Sequence, residues 1–339
     1  MAVPFVAAVD AGAPGHIAPY GMLCRTSMRV ERFIDDLRGT WDELVGKSRR
    51  GSFLFLRDYM DYHRDRFEDH SLVVRGEHDK PVALLPAHQK DKLLDSHGGL
   101  TFGGLVPAPS LPVGTVLDVF EVLLRYLRLE GFETLRYRSM PHIYHQGPAE
   151  EDLCALARHG AQVAHRTVLS VLDTRHPAAA QERRRRGARK ARAAGLTCRE
   201  TPDLASYWSL LSEVLWTTYG ARPVHSLAEI ELLRGRFPRN IRLFGCYRGS
   251  EILAGVLIYE SPTVARAQYI AASDTGKRLA ALDLLFDGLL HEVFVDKPYF
   301  DLGTSESADR RGFNQGVLEF KESLGARAIT QDTYELRLR

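Results

Sequence analysis

The segment FNQGVLEFKESLGA, residues 313–326, decides how the fold of this sequence is interpreted. Its apolar side chains recur at the spacing of one helix face that packs against a sheet. Gly325 then provides a helix stop. Asn314 and Lys321 are seven residues apart, so a helix places them on the same face, about 10.5 Å apart along its axis. The segment therefore predicts either an ordinary surface helix or a helix that forms one wall of an active site.

Two stretches of the sequence repeat one order of elements: a hairpin, a strand, a helix, a strand, a helix and a strand. The first copy runs from a hairpin at 71–88 to a strand at 161–173, and the second from a hairpin at 241–260 to a strand at 326–338. Glycine and polar residues separate the apolar segments of each hairpin, and apolar residues at helical spacing mark the longer helices. The predicted helices lie at 113–130, 149–159, 277–295 and 312–324.

The length of 339 residues suits about two domains. We place them at 1–172 and 173–339, each a mixed sheet flanked by helices, so that the expected fold class is α/β. The net charge of +2 at pH 7 favours no general attraction to nucleic acid or to a membrane surface. No apolar run approaches the ~18 residues that a membrane-spanning helix requires.

The N-terminal residues 1–21 do not resemble a signal peptide, because Asp10 interrupts the apolar run and no basic residue precedes it. The four cysteines are scattered and form no CxxC pair, so neither a disulfide framework nor a metal site is predicted. These features favour a cytoplasmic protein. The sequence contains no GxGxxG, GxSxG or HExxH, and no GxxxxGK followed by Ser or Thr. Nothing therefore points to hydride transfer, nucleotide hydrolysis or serine hydrolysis.

The spacing of the opening segment resembles a motif of the GNAT acyltransferase superfamily, in which the corresponding helix reads roughly Asn-x-x-Ala-x-x-Leu-Tyr-x-x-x-Gly-Phe. The matching positions here are Asn314, Val317, Phe320, Lys321 and Gly325. The strand YFDLGTS, residues 299–305, stands where that fold splits its sheet to admit the pantetheine arm of coenzyme A. The pyrophosphate loop of the superfamily is matched more weakly, at Gly276, Leu279 and Ala281, where only the small last residue agrees.

The combination of DLGTSES and GFNQGVLEFKESLGA, residues 301–307 and 312–326, resembles the double-GNAT proteins of the Fem type. Within that group the chain is most similar to the branch that N-acylates nucleotide-linked amino sugars, such as dTDP-sugars, for the O-antigen of lipopolysaccharide. The segments HGGLTFGGLV, PVHSLAEI and AQYIAAS carry this likeness, which covers roughly residues 40–335. It implies two tandem GNAT-like domains with a cleft between them, acyl-CoA in the second domain and the amino sugar near the cleft. An aminoacyl-tRNA donor of the Fem type and a non-catalytic protein of the same fold remain alternatives.

Acyl transfer from a thioester to an amine needs a group that accepts the amine proton and one that protonates the leaving thiolate. We expect Asp301 or His142 as the acceptor. As the donor we expect Lys321, which stands where GNAT enzymes commonly carry a tyrosine. The start of a helix also offers free N–H groups to a diphosphate. The residues expected to bind coenzyme A are Thr275, Gly276, Lys277, Arg278 and Asn314. The residues expected to bind the acceptor are His97, Gly98, Gly99, Tyr137, His145, Gln268, Ser305 and Glu306.

Each of these residues also has a structural interpretation that the sequence leaves open. Asn314 could simply cap its helix, Asp301 could cap a loop, and Lys321 could be an exposed lysine. The glycines of segment 98–104 could shape a twisted sheet instead of admitting a sugar. The run Arg183–Arg186 could be a solvated linker, or it could meet the phosphates of a substrate or of tRNA.

Overall fold

The computed structural model describes residues 27–307 and 312–338. Cys24 and the stretch judged unlike a signal peptide lie outside these residues. The strands are β1 (Arg29–Arg32), β2 (Glu68–Asp69), β3 (Leu72–Arg75), β4 (Pro81–Leu85), β5 (His88–Lys90), β6 (Leu93–Asp95), β7 (Val106–Pro107), β8 (Thr134–Arg138), β9 (Gln162–Asp173), β10 (Thr197–Glu200), β11 (Ile241–Arg248), β12 (Glu251–Glu260), β13 (Val264–Ala272), β14 (Tyr299–Thr304) and β15 (Arg327–Arg337). The α-helices are α1 (Arg38–Lys47), α2 (Arg57–Met60), α3 (Val113–Leu129), α4 (Glu151–Arg158), α5 (Glu182–Ala193), α6 (Leu204–Tyr219), α7 (Leu227–Arg236), α8 (Asp274–Arg278), α9 (Ala281–Gly288) and α10 (Gln315–Ser323).

Most strands belong to one mixed sheet of eleven strands, in the order β10-β11-β12-β13-β14-β9-β15-β8-β6-β5-β2. A smaller sheet in the first half has the order β1-β3-β4-β7. The large sheet runs without interruption past the division that we place at Asp173. The domain limits 1–172 and 173–339 therefore rest on the repeat in the sequence and stay a proposal.

The two halves exchange their last strands. In the first half β8 is followed by α4 and β9, and in the second half β14 is followed by α10 and β15. However, β9 pairs antiparallel with β14 of the second half, and β15 pairs antiparallel with β8 of the first. The exchanged strands also pair with each other. Each half thus supplies the strand that completes the other half's part of the sheet.

Two apolar layers cover the central part of this sheet. On one face, Leu169 and Val171 of β9 share a core with Trp208 of α6. On the other face, Phe300 of β14 shares a core with Leu324, which follows α10. We call these the α6 face and the α10 face. Successive side chains of a strand point to opposite faces, so these apolar residues show to which face each polar residue of β9 and β14 points. No helix within residues 27–307 and 312–338 is long and apolar enough to cross a membrane.

The predicted helix at 312–324 is present as α10. Asn314 is its N-cap, and its Oδ1 accepts a hydrogen bond from Val317 N at 3.1 Å. Gly325 follows the helix with a positive φ of 102°, which is the left-handed conformation that glycine adopts without a steric penalty.

Two predicted elements differ from the structure. The helix expected at 277–295 is divided into α8 and α9, because Ala280 adopts the left-handed region with φ 58° and interrupts the helical path. A turn of π-helix at Leu289–Val293 extends α9. The strand expected after the first hairpin of the repeat, at 97–106, is mostly irregular, since β6, not this segment, pairs with β8. Gly103 lies so close to the Ser96 carbonyl that an added Cβ would be 1.7 Å from its oxygen.

Candidate active site at an opening in the sheet

Strands β13 and β14 part in the middle of the sheet. They pair in parallel only where Val264–Arg266 lies beside Tyr299–Asp301. Both strands continue beyond this point, β13 to Ala272 and β14 to Thr304. Residues 267–272 of β13 pair with β12 on one side, and no strand of the described residues pairs with their other side. We call the gap between 267–272 and 302–304 the opening; its edge offers backbone N–H and C=O groups to a bound molecule.

A buried ion pair holds the strands where they part. Asp301 is fully buried. Its Oδ2 accepts a hydrogen bond from the Tyr144 hydroxyl at 2.6 Å and forms an ion pair with Arg266. Its Oδ1 accepts from Gly303 N at 2.6 Å. Three donors thus engage the carboxylate, and it is closed off from solvent. These contacts favour the charged form of Asp301 and count against the predicted role as proton acceptor.

Lys321 lies at the end of β14 beside the opening. Its side chain comes from α10, is 4% exposed, and donates from Nζ to Gly303 O at 3.1 Å and to Thr304 O at 2.6 Å. Burial lowers the pKa of Lys321 to about 8; the Asp301 carboxylate opposes this shift and the Arg266 guanidinium adds to it. An ammonium group has three N–H donors, so one remains for a ligand in the opening.

Two further predicted residues lie along the opening. Ser305 is 4% exposed, and its Oγ has no hydrogen-bond partner among the described residues. A buried hydroxyl without a partner is costly and favours a site that a ligand completes. Gln268 is half-buried on the free edge of β13, and its Oε1 accepts from Arg266 Nε at 3.3 Å. The Asn314 side chain is engaged in capping α10, while its backbone N–H donates to Ser305 O at 2.8 Å.

Glu306 continues the chain beyond the opening and meets a histidine that sequence reasoning missed. Its Oε2 lies 3.3 Å from Nε2 of His165 on β9. Thr304 Oγ1 accepts from Glu306 N at 3.0 Å, and Glu306 forms a β-bridge with Phe313. His165 belongs to the first copy of the repeat, and only the strand exchange brings it here. No local motif in the sequence marks it.

The predicted phosphate-binding residues form α8. Ser273 caps this helix, and its Oγ accepts from Gly276 N at 3.0 Å. Gly276 has a packing role, because an added Cβ would be 2.2 Å from Leu253 O. Lys277 pairs with Asp274 at 3.0 Å, and Arg278 donates to Thr275 Oγ1 at 2.9 Å. Both cationic side chains are at the surface.

Three residues predicted for catalysis or acceptor binding lie away from the opening. His142 is exposed and contacts the ring of Tyr299, at the end of β14 opposite Thr304. His145 is buried in the first half, where burial and the nearby Arg50 lower its pKa to about 4. Tyr137 is also buried there; its hydroxyl donates to Asp152 and accepts from Leu105 N at 2.7 Å.

The segment that carries His97, Gly98 and Gly99 packs against the protein's own histidines. His97 is 3% exposed, with ring centroids 5.0 Å from His63 and 5.5 Å from His88. Burial holds the pKa of His97 well below its usual range. A Cβ on Gly99 would be 2.2 Å from His63 Nε2, so the close approach at this glycine is to a side chain of the chain itself. Across residues 27–307 and 312–338, no group of three His, Cys, Asp or Glu side chains is placed to hold a metal ion.

The arginine run forms α5, which is fastened to α9. Arg184 pairs with Asp283 at 2.5 Å, and Arg192 pairs with Asp287 at 2.5 Å. Arg189 pairs with Glu182 of the same helix at 2.8 Å. Three carboxylates thus compensate part of the positive charge of α5, which weakens its attraction for a polyanion.

Comparison with known proteins identifies the fold and not a family. No protein-family model matches this chain, and no curated protein matches it in sequence. Among solved structures, FemX superposes with a TM-score of 0.65 at 9% identity, over 91% of this chain and 97% of FemX. The C-terminal domain of a putative lysylphosphatidylglycerol synthetase from Agrobacterium fabrum gives 0.55 at 12% identity, over 87% and 92%. The L-PGS of Bacillus licheniformis gives 0.54 at 11% identity, over 91% and 93%.

These likenesses extend over nearly the whole of each chain, so they concern the overall fold. The predicted α/β fold class is confirmed, and the chain shares its overall fold with FemX. At identities of 9–12%, the comparisons describe the fold and leave the reaction and its substrates to be argued from the site.

Proposed function

We propose that the protein is an acyl-CoA-dependent N-acyltransferase whose donor binds in the opening between β13 and β14. The observation that carries this proposal is the parting of the two strands directly after Arg266 and Asp301, with Lys321 buried at its end. A free strand edge suits an extended arm that carries amide groups, such as pantetheine, because amides can pair with backbone N–H and C=O groups. The unpartnered Ser305 Oγ gives the arm or its thioester a further polar contact.

Lys321 is the proposed proton donor to the leaving thiolate. Its lowered pKa of about 8 lies near the ordinary value of a thiol, about 8.5, so proton transfer between the two groups is nearly balanced. Its two hydrogen bonds to the carbonyls of Gly303 and Thr304 fix the direction of the third N–H. The Asp301 carboxylate, held by Tyr144 and Arg266, then fixes the shape of the opening.

We propose a nucleotide-linked amino sugar as the acceptor, in keeping with the sequence resemblance described above. The sheet surface on the α6 face, between segment 97–104 and loop 301–306, is where we place it. A charged tRNA is the second candidate donor, because α5 gathers five arginines within Arg183–Arg189. The pairing of Arg184, Arg189 and Arg192 with carboxylates counts against it.

Ligand titration with a variant that crowds the rim of the opening tests the donor. Gln268→Trp places a bulky ring beside Arg266 at the edge of β13, and Gln146→Trp, at an exposed position of the first half, is the matched control. We expect coenzyme A and acetyl-CoA to bind the wild type and the control, and to bind Gln268→Trp at least tenfold more weakly, a loss of about 1.4 kcal/mol. Binding of charged tRNA without binding of coenzyme A would establish the second candidate. Binding of neither ligand would contradict both.

A further inference from the structure

The α6 face of the sheet carries a row of side chains that leads from the opening to His165. Asp301 lies opposite Val171 in the pairing of β14 with β9, and Thr304 lies opposite Leu169. Residues directly opposite one another share a face. Between Leu169 and His165 the pairing of β9 with β15 has no register shift, so His165 points to this same face.

Glu306 holds the His165 ring from the loop beyond the opening. The two side chains are 14% and 29% exposed, respectively, so the pair is sheltered but reachable from solvent. Glu306 lies two residues beyond Thr304, whose carbonyl binds Lys321. Lys321 comes from the α10 face and His165 lies on the α6 face, so a proton donor and a proton acceptor flank the end of β14 from opposite faces.

The other charged groups on this face lie farther along the neighbouring strands. Thr333 is opposite His165 on β15, and Arg138 of β8 is opposite Thr333. Arg138 Nη1 donates to Leu100 O at 3.3 Å. Arg136, also on β8, pairs with Glu335 at 2.8 Å. Glu306 is the carboxylate in contact with the imidazole. A hydrogen bond from Nε2–H to this carboxylate leaves Nδ1 with the lone pair that can accept a proton.

We propose that His165 is the proton acceptor for the substrate amine and that Glu306 is its positioning residue. This inference rests on the proposed acyl transfer. The amine lone pair forms the new N–C bond to the acyl carbon, and the C–S bond breaks with its electron pair on sulfur. The sulfur takes a proton from the Lys321 ammonium, and the proton lost by the amine nitrogen goes to His165 Nδ1. The imidazolium formed is stabilised by the Glu306 carboxylate, and solvent returns the proton to Lys321.

Kinetics of His165→Asn and Glu306→Gln test this assignment. The matched control is His291→Asn, because His291 also lies beside a carboxylate, Asp287 at 4.0 Å, but is exposed on the surface. We expect His165→Asn to lower kcat by ~10²-fold and to leave the affinity for coenzyme A unchanged. In the wild type, kcat should rise with pH on the acid side of its profile, and this rise should be absent from His165→Asn. Glu306→Gln should shift that rise and lower kcat by less. An acceptor amine of low basicity should reduce the defect of His165→Asn, because its nitrogen is more acidic once the N–C bond has formed and gives up its proton to water more readily.

The outcomes separate the two proposals. If His165→Asn binds coenzyme A and keeps the wild-type kcat and pH profile, His165 is not the proton acceptor, while the donor site stands. If the wild type fails to bind coenzyme A or acetyl-CoA, the proposed function itself fails. Thermal unfolding of each variant shows whether a loss of rate comes from a loss of folded protein.

Discussion

The two halves of the molecule differ at corresponding positions, where the parallel pairing of two strands ends. In the first half, β6 and β8 pair in parallel over Leu93–Asp95 and Thr134–Arg136. The chain then folds back, and Leu100, Phe102 and Leu105 of the following segment are buried. In the second half, β13 and β14 pair in parallel over three residues each and then part, and no comparable segment of the described chain lies between them.

Each place is also marked by a buried carboxylate with a tyrosine and an arginine. In the first half Asp152 contacts Tyr137 and Arg50, and Tyr137 in turn receives the Leu105 N–H of the segment that fills the gap. In the second half Asp301 contacts Tyr144 and Arg266, and no strand of the described residues pairs with the edge of β13 beyond them. The chain itself covers this place in the first half, which is why we propose the donor site in the second half.

Removal of the Lys321 ammonium group at the opening is the strongest test of this difference. Lys321→Met should lower kcat by ~10²-fold or more, because the leaving thiolate loses its proton donor, while the affinity for coenzyme A stays nearly unchanged. The matched control is Lys92→Met in the first half, where the ammonium pairs with Glu133 at the surface. Steady-state kinetics and calorimetric titration measure the two quantities. A lowered affinity with unchanged turnover would instead assign Lys321 to phosphate binding.

The pH dependence of turnover sharpens the same test. Since the pKa of Lys321 is about 8, the group is protonated below that pH and loses its proton above it. As a proton donor it should therefore give a kcat that falls as the pH rises through about 8. Lys321→Arg, which stays protonated throughout this range, should abolish that fall. A decline that persists in Lys321→Arg would belong to another group.

The buried tyrosines offer the next comparison. Tyr144→Phe and Tyr137→Phe each remove a hydroxyl that donates to a buried carboxylate, so each should lower the free energy of unfolding by about 1.5–3 kcal/mol. Only Tyr144→Phe should also weaken binding of coenzyme A, because Asp301 shapes the opening. Chemical denaturation and ligand titration measure the two effects. An equal loss of binding in Tyr137→Phe would show that the first half also contributes to the donor site.

A pair of buried serines gives the smallest expected effect. Ser139 Oγ in the first half donates to Asp332 O at 3.0 Å, whereas Ser305 Oγ has no partner among the described residues. Ser139→Ala should cost about 1 kcal/mol of unfolding free energy and leave ligand affinity unchanged. Ser305→Ala should leave stability unchanged or slightly raised and weaken acyl-CoA binding by up to about tenfold. If Ser305→Ala destabilises the protein as much as Ser139→Ala does, the Ser305 hydroxyl stabilises the fold and does not serve a ligand.

The local parts of this structure were predictable from the sequence. Helix α10, its Asn314 cap and its glycine stop follow from periodicity and capping rules that act within a few residues. The repeated order of elements and the α/β class follow from the same kind of pattern. The interruption at Ala280 was not predicted, because an alanine in the left-handed region has no signature in the sequence.

The candidate site was predictable only in part. The sequence points to Lys321, Ser305 and Gln268, and the structure places all three along the opening. His165 was missed because its approach to Glu306 depends on a pairing between strands far apart in sequence. In segment 97–104, glycine indicates a close approach but not its partner. At Gly99 that partner is His63, so the sugar contact of this segment stays a prediction.

The exchange of β9 and β15 also has a consequence for the order in which the chain is made. During synthesis β8 emerges from the ribosome long before β15, its antiparallel neighbour, because β15 is the last strand of the described chain. Until then the edge of β8 is an unpaired row of N–H and C=O groups that can join a strand of another chain. The nascent first half therefore has an incomplete sheet until β15 is synthesised. Pausing, chaperones and local protein concentration during translation should thus decide how much of the product is correctly assembled.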